Sequence, residues 1–253
     1  GFSLKESQLE FSASFLSEFT DTALHIIEQM LFHPAFEKRK ITQEKELVLE
    51  AIAHRFDNPG PVLSAAYEKL MFTGRKNHAL ATPASIEAIS EKDIRTCYRR
   101  MIATDRCIFA ASGDFSTDSM TDRLGALFPA SDTTRFTPPT SSIHPRSAPE
   151  TVLVHKDISQ AYVRLGVALF ARPHPDYYPV SLLSEILGGG SFTSRLMKRI
   201  RSDEGLTYSI YSRAESNYVH PGSFFISFFT KTESTGKALG LVREEIVKLR
   251  DAG

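Results

Sequence analysis

Along the first half of the chain, apolar positions repeat mostly at helical spacing. Leu24, Ile27 and Leu31, with Ala23 and Met30 beside them, predict a helix over residues 21–32 that His33-Pro34 stops. Val48, Ile52 and Phe56 line the inner face of a second, over 42–56, closed by the breaker run Asp57-Asn58-Pro59-Gly60-Pro61. A third covers 61–72. Ser90-Glu91-Lys92-Asp93 opens a fourth with a capping box, running to about Met101, and 118–127 form a fifth. Weak alternation over 4–16 reads as strand structure, and the apolar run 107–111 reads as a buried strand closed by Ser112-Gly113-Asp114-Phe115.

The second half mixes both periods. Strands are expected over 151–155 and 161–170, a helix over 177–187 that stops at Gly188-Gly189-Gly190, and a further helix over 191–202. Residues 207–216 and 223–230 alternate as paired strands joined by His220-Pro221-Gly222, and a helix over 235–249 follows. Between Pro129 and Pro149 lie five of the 13 prolines, amid Ser and Thr. That composition holds neither helix nor central strand and reads as an extended linker over 131–149. The chain therefore divides into 1–130 and 150–253, and the fold class is α+β, two sandwiches without strict β-α-β order.

Composition narrows the function. The 253 residues balance 30 Lys+Arg against 30 Asp+Glu, with no local block of one sign, which removes the footprint of a nucleic-acid binder. The longest apolar stretch, 162–171, contains Arg164 and falls short of the ~18 residues of a membrane span. Gly1-Phe2-Ser3-Leu4 does not read as a natural start, and nothing follows the last helix, so the sequence is expected to be a fragment. Cys97 and Cys107 have no metal-ligand spacing. They are expected as reduced core residues, with a single disulfide as the alternative.

Two segments are specific enough to name a family. Gly188-Gly-Gly-Ser-Phe-Thr-Ser-Arg-Leu196 leads into Arg201-Ser-Asp-Glu-Gly-Leu-Thr-Tyr-Ser209. This resembles the second-half signature of pitrilysin/insulinase-type zinc peptidases, a family that includes the mitochondrial processing peptidase and core subunits of the respiratory cytochrome bc complex. Leu31-Phe-His-Pro-Ala-Phe36, Glu44-Lys-Glu-Leu-Val-Leu-Glu-Ala51 and Ser112-Gly-Asp-Phe115 match its first-half landmarks in order. The resemblance implies pseudo-repeated α+β sandwich domains that line a bilobal chamber.

In active members an inverted motif, H-x-x-E-H, supplies two zinc ligands and a general base, and a distal Glu completes the site. Three protein ligands leave zinc a fourth position for the water it acidifies. The motif is absent from this sequence. The nearest string, His25-Ile-Ile-Glu-Gln29, has Gln where the second His must stand, and reads as an ordinary helix face. The family pattern puts two acidic residues seven apart on one helix. Here the first is Glu44, but the ligand position falls on Ala51, and a methyl group binds no metal. Glu50 is about 100° around the helix from that position. No metal site and no cofactor are therefore expected in this chain, and zinc belongs to the active relatives or a partner.

The resemblance further implies that Arg201 and Tyr208, seven apart with Gly205-Leu206 between them, reach across the chamber to substrate. Gly205 suits the left-handed position past a helix end, so both side chains can emerge at one end of the sheet. A guanidinium and a phenol there can donate to a peptide carbonyl or its developing oxyanion. The plainer reading has Arg201 capping its own helix and Tyr208 packing in the sheet. Gly188, Gly189 and Gly190 resemble the substrate-contacting glycine loop of non-catalytic subunits. The alternative is a helix-to-helix turn needing unusual dihedrals. With no Lys-Ser/Thr following, they do not make a phosphate loop.

The expected function is thus a non-catalytic zinc-peptidase homologue that binds peptide and completes the chamber of an active zinc-peptidase subunit, as a homo- or heterodimer mate. The alternatives are an active endopeptidase whose zinc helix lies upstream, and a structural scaffold. A periplasmic location follows only from the resemblance.

Overall fold

The computed structural model describes residues 2–4, 9–73, 80–102, 107–127, 144–145, 148–189, 192–216, 218 and 220–251. The first elements are β1 (Phe2–Leu4), β2 (Leu9–Phe11), α1 (Thr20–Phe32), α2 (Lys38–Ala53), α3 (Pro59–Met71) and β3 (Phe72–Thr73). Then come α4 (Pro83–Glu87), α5 (Glu91–Met101), α6 (Thr117–Leu127), β4 (His144–Pro145) and β5 (Gln160–Ala168). The remainder is α7 (Tyr177–Gly188), a π-helical segment (Met197–Asp203), β6 (Ile210–Glu215), β7 (Ser223–Lys231) and α8 (Thr235–Asp251). The α+β class read from the sequence is the class of the fold. No described helix is long and apolar enough to cross a membrane.

The chain forms two compact units, Gly1–Ile52 with Ala81–Pro139, and Ala53–Leu80 with Thr140–Gly253. In the first, β1 and β2 pair antiparallel, Phe2 opposite Phe11. The Tyr98 hydroxyl on α5 lies 3.0 Å from the carbonyls of both Met30 and Leu31, so α5 supplies a donor to the open C-terminal end of α1. Phe36 meets the Tyr98 ring edge-on, and Arg95 lies over Phe36 at 4.7 Å. Arg123 on α6 pairs with Asp21 on α1 at 2.6 Å. The capping box at α5 forms as the sequence predicts: Asp93 N–H donates to Ser90 Oγ, and Ser90 N–H to the Asp93 carboxylate. Thr82 and Ser85 make a second box, which starts the short α4 that periodicity does not show.

The second unit is built on a three-stranded antiparallel sheet in the order β5-β7-β6. β7 is central and reads as a nearly continuous apolar run because both of its faces are covered. Phe225 points to one face, where it packs with Tyr67, Met71 and Phe72 of α3 and β3. Ile226 and Phe228 point to the other, into a core with Leu187 of α7, Leu196 just ahead of the π segment, Ile200 within it, Ile210 of β6 and Val242 of α8. Each such side chain contributes about 1.5–3 kcal/mol of burial. α3 thus belongs by packing to a sheet nearly a hundred residues further along the chain. A Cβ at Gly166 on β5 would collide with the Tyr67 hydroxyl, so glycine there admits α3. Arg164 on β5 lies over Phe225 at 4.4 Å and Tyr67 at 5.3 Å. Burial pushes the Tyr67 phenol above its ordinary range.

Three expectations are corrected. Residues 107–111 form no strand ladder with any described residue, and Ile108 is 96% exposed. Residues 151–155 are likewise unpaired backbone, with Leu153 92% exposed. An apolar run becomes a buried strand only when another strand satisfies its backbone groups, and none of the described strands does so here. Cys97 and Cys107 form no disulfide, and with the first exposed and the second half-buried they are not core residues. The proposed linker falls mostly outside the described residues.

Candidate functional site

The segment carrying Arg201 and Tyr208 is built by a nested helix end. Gly205 N–H donates to the Arg201 carbonyl at 3.1 Å, and Leu206 N–H to the Ile200 carbonyl at 3.0 Å. Gly205 has φ +62°, the left-handed conformation expected of it. Past it, two threonine hydroxyls fasten the turn to the end of β7. Thr230 Oγ1 donates to the Leu206 carbonyl at 2.7 Å, and Thr207 Oγ1 lies within hydrogen-bond distance of the Phe229 carbonyl. Both threonines are buried.

On this rigid turn the two side chains remain unspent. Arg201 is half-buried with its guanidinium 4.5 Å over the Phe192 ring, and it makes no ion pair with a described residue. Tyr208 is 79% exposed, two residues ahead of β6, and its hydroxyl has no partner among the described residues. It does not pack in the sheet.

Gly188 and Gly189 serve different ends of the same corner. Gly188 is buried as the last residue of α7, and a Cβ there would stand 2.6 Å from Ser212 N and 3.1 Å from Leu196 Cδ1. It is glycine because α7 and β6 touch; its φ, like that of Gly189 (−67°), is not positive. Gly189 lies under the Glu185 carboxylate. Gly190 lies outside the described residues.

Between α7 and β6 runs a groove of about 480 Å³, lined by Ser181, Ser184 and Glu185 on one side and Tyr211, Ser212 and Arg213 on the other. Ser212 Oγ donates to the Ser184 carbonyl at 2.7 Å, fixing the floor. Sequence reasoning passed over these residues. Their signal was Ser181, Ser184 and Glu185 at positions i, i+3 and i+4 of an otherwise apolar helix, a polar stripe on one face.

Two ion-pair clusters hold the elements behind the turn. Arg199 (2.9 Å) and Lys237 (2.6 Å) flank Glu204, and the Lys237 hydrogen bond is the chief reason its carboxyl lies below the usual range. Glu245 on α8 is buried, which alone would raise its pKa, but bonds from Lys248 and Arg195 outweigh burial and lower it.

The residues at the distal-acid positions, Glu44 and Ala51, do not fit zinc. Glu44 lines an apolar groove of about 540 Å³ with Phe36, Ile41, Val48 and Ile86, and Ala51 is exposed on α2. No group of three His, Cys, Asp or Glu among the described residues is arranged to hold a metal. His25 faces Glu28 at 3.5 Å on the exposed side of α1, an ordinary helical pair.

A family model described as the peptidase M16 inactive domain matches residues 88–253, well over half of the chain. The chain belongs to the peptidase M16 inactive-domain family. This is the zinc-peptidase family that the Gly188–Ser209 signature indicates, and its matched part contains Arg201, Tyr208 and the α7–β6 groove. Among curated relatives, a Helicobacter pylori protein described as a non-peptidase homolog, YmxG, is 27% identical over 250 residues, covering 97% of this chain and 57% of its own length. A Bacillus subtilis protein described as an uncharacterized zinc protease, also YmxG, is 25% identical over 248 residues, covering 96% and 59%. A crystal structure of a peptidase M16 inactive domain from Pseudomonas fluorescens superposes with a TM-score of 0.70 at 26% identity, over 90% of this chain and 55% of that one. The M16 chain thus spans a little over half the length of the relatives it matches.

Proposed function

We propose that this M16 domain is a non-catalytic peptide-binding subunit that completes the chamber of an active zinc-peptidase partner, with Arg201 and Tyr208 as its substrate contacts. One observation carries the reading. A guanidinium and a phenol stand on a turn fixed by Gly205, Thr207 and Thr230, and neither spends its donors within the described protein. Rigid placement of free donors is what recognition of a peptide carbonyl, or of the oxyanion formed from it, requires. Among the described residues the site supplies no metal ligands, and in this reading the water and its activation come from the partner.

The test is reconstitution with the cognate active subunit, identified by co-purification, and a fluorogenic peptide assay. Tyr208→Phe removes only the hydroxyl and is expected to lower turnover clearly, towards the ~10²–10³-fold typical of losing one oxyanion donor. Arg201→Ala is expected to do at least as much. Unchanged turnover for both variants in a fully assembled complex would make this domain a scaffold.

A further inference from the structure

We infer that α3 and β5 hold a small monovalent anion of halide size between them, bound by the Arg164 guanidinium and the Tyr67 hydroxyl, and that this anion helps to fasten α3 to the sheet. The observation behind it is a pair of buried donors without partners. Tyr67 is 5% exposed, and neither its hydroxyl nor Arg164 Nε has a hydrogen-bond partner among the described residues. Folded proteins pair nearly all such groups, because a donor buried without an acceptor keeps its full desolvation cost. Arg164 also lacks a contacting counter-charge. Its guanidinium lies over the Phe225 and Tyr67 rings, and it makes no ion pair with a described residue. Half-buried as it is, this cation has left bulk water without a carboxylate to receive it.

The two donors stand side by side. Arg164 and Gly166 are two apart on β5 and so share a face, the one on which Tyr67 of α3 lies. The Tyr67 hydroxyl lies against Gly166, in the space a Cβ would fill. β5 is the opposite edge of the sheet from β6, so this site is separate from the α7–β6 groove. Its chemistry calls for a negative acceptor. A guanidinium only donates, and burial keeps the phenol protonated, so it too arrives as a donor. At the phenol oxygen, the Ser223 hydroxyl and Arg164 favour negative charge, and each outweighs what Glu68 or Glu215 does against it. Met71, Phe72 and Phe225 pack around Tyr67 and make the surroundings apolar. Two donors in apolar surroundings suit a weakly hydrated halide, and would leave the further oxygens of phosphate or sulfate without partners.

The experiment follows thermal unfolding of the full chain in chloride, bromide or gluconate, with ionic strength held constant by gluconate. Tm is expected to rise by about 2–4 °C between roughly 5 and 200 mM chloride, and bromide should act alike. Tyr67→Phe decides what the hydroxyl does. Deleting a donor that binds nothing leaves a protein as stable as before, or more so. With an anion bound, Tyr67→Phe should melt below the natural protein in chloride and match or exceed it in gluconate. Arg164→Met, which keeps the stem over the two rings, should abolish the chloride dependence. Crystals grown in bromide should show an anomalous peak between Arg164 and Tyr67. A Tm that ignores chloride overturns the assignment, as does a chloride dependence that survives in both variants. A Tyr67→Phe protein destabilised equally in chloride and gluconate overturns it too, because the hydroxyl would then be paired with water.

Discussion

Arg195 reaches Glu245 across fifty residues of chain, with Nε and Nη2 both 3.1 Å from Oε2. The pair ties the helix ahead of the Arg201 turn to α8. Lys248 takes the other carboxylate oxygen at 2.9 Å, so a buried anion is met from two sides. Glu204 does the same at the far end of the π segment, between Arg199 and Lys237. The turn that carries Arg201 and Tyr208 thus sits between two electrostatic fastenings.

Acid should loosen both. Glu245 and Glu204 have carboxyl pKa values lowered by folding. Their stabilisation is therefore complete above the unfolded value of about 4.3 and is lost as pH falls through the lower, folded value. Urea unfolding from pH 7 to pH 3 is expected to show Glu245→Gln less stable than the natural protein by about 1–3 kcal/mol at neutral pH. That gap should narrow below about pH 4.3. A gap independent of pH would show that the loss is one of packing.

The two glycines flanking the site should fail for different reasons. Gly188→Ala places a Cβ 2.6 Å from backbone nitrogen in the core, an overpacking expected to cost about 1–3 kcal/mol. Gly205→Ala has open space around it, and its cost of about 1 kcal/mol comes from φ +62° alone. Asn should therefore rescue position 205 and not position 188. Chemical denaturation of the four variants checks this, and a harmless Gly188→Ala would mean that α7 and β6 do not touch as described.

What the sequence made legible, and what it did not, follows from the range of each interaction. The Ser90–Asp93 capping box and the left-handed Gly205 were readable because both are settled within four residues. The paired β6 and β7 were readable from their apolar content and the Pro-Gly turn between them. The runs 107–111 and 151–155 carry the same local signal, yet Ile108 and Leu153 stand exposed, because pairing depends on another strand and not on the run itself. Helix α3 packing on Phe225, and Arg195 meeting Glu245, join distant segments that no period marks. Arg201 and Tyr208 entered through resemblance alone; the polar stripe of Ser181, Ser184 and Glu185 was overlooked because three polar positions on an apolar helix match no motif.

Loss of function at Arg201 and Tyr208 must be separable from loss of fold. Tyr208 is 79% exposed, so Tyr208→Phe is expected to leave stability within about 0.5 kcal/mol. Arg201→Ala forfeits the stacking on Phe192, expected to cost about 0.5–1 kcal/mol. Thermal unfolding of the isolated variants measures both. A Tyr208→Phe protein that melts far below the natural one would assign the hydroxyl a structural role.

Ala51→Glu restores the second acid of the family pattern without restoring the metal. Glu44 and a Glu at 51 would lie seven residues apart on α2, nearly two turns, and so on one face. Carboxylates alone are weak zinc ligands at this valence, and the catalytic geometry needs two imidazoles that no H-x-x-E-H in the chain supplies. The variant is therefore expected to bind no stoichiometric zinc by metal analysis after dialysis against a chelator. It is also expected to fold as well as the natural protein, within about 0.5 kcal/mol, since position 51 is exposed and both residues are good helix formers. This differs from the larger cost a buried carboxylate would carry. Micromolar zinc affinity in Ala51→Glu would contradict the assignment of this chain as lacking the ligands of a metal site.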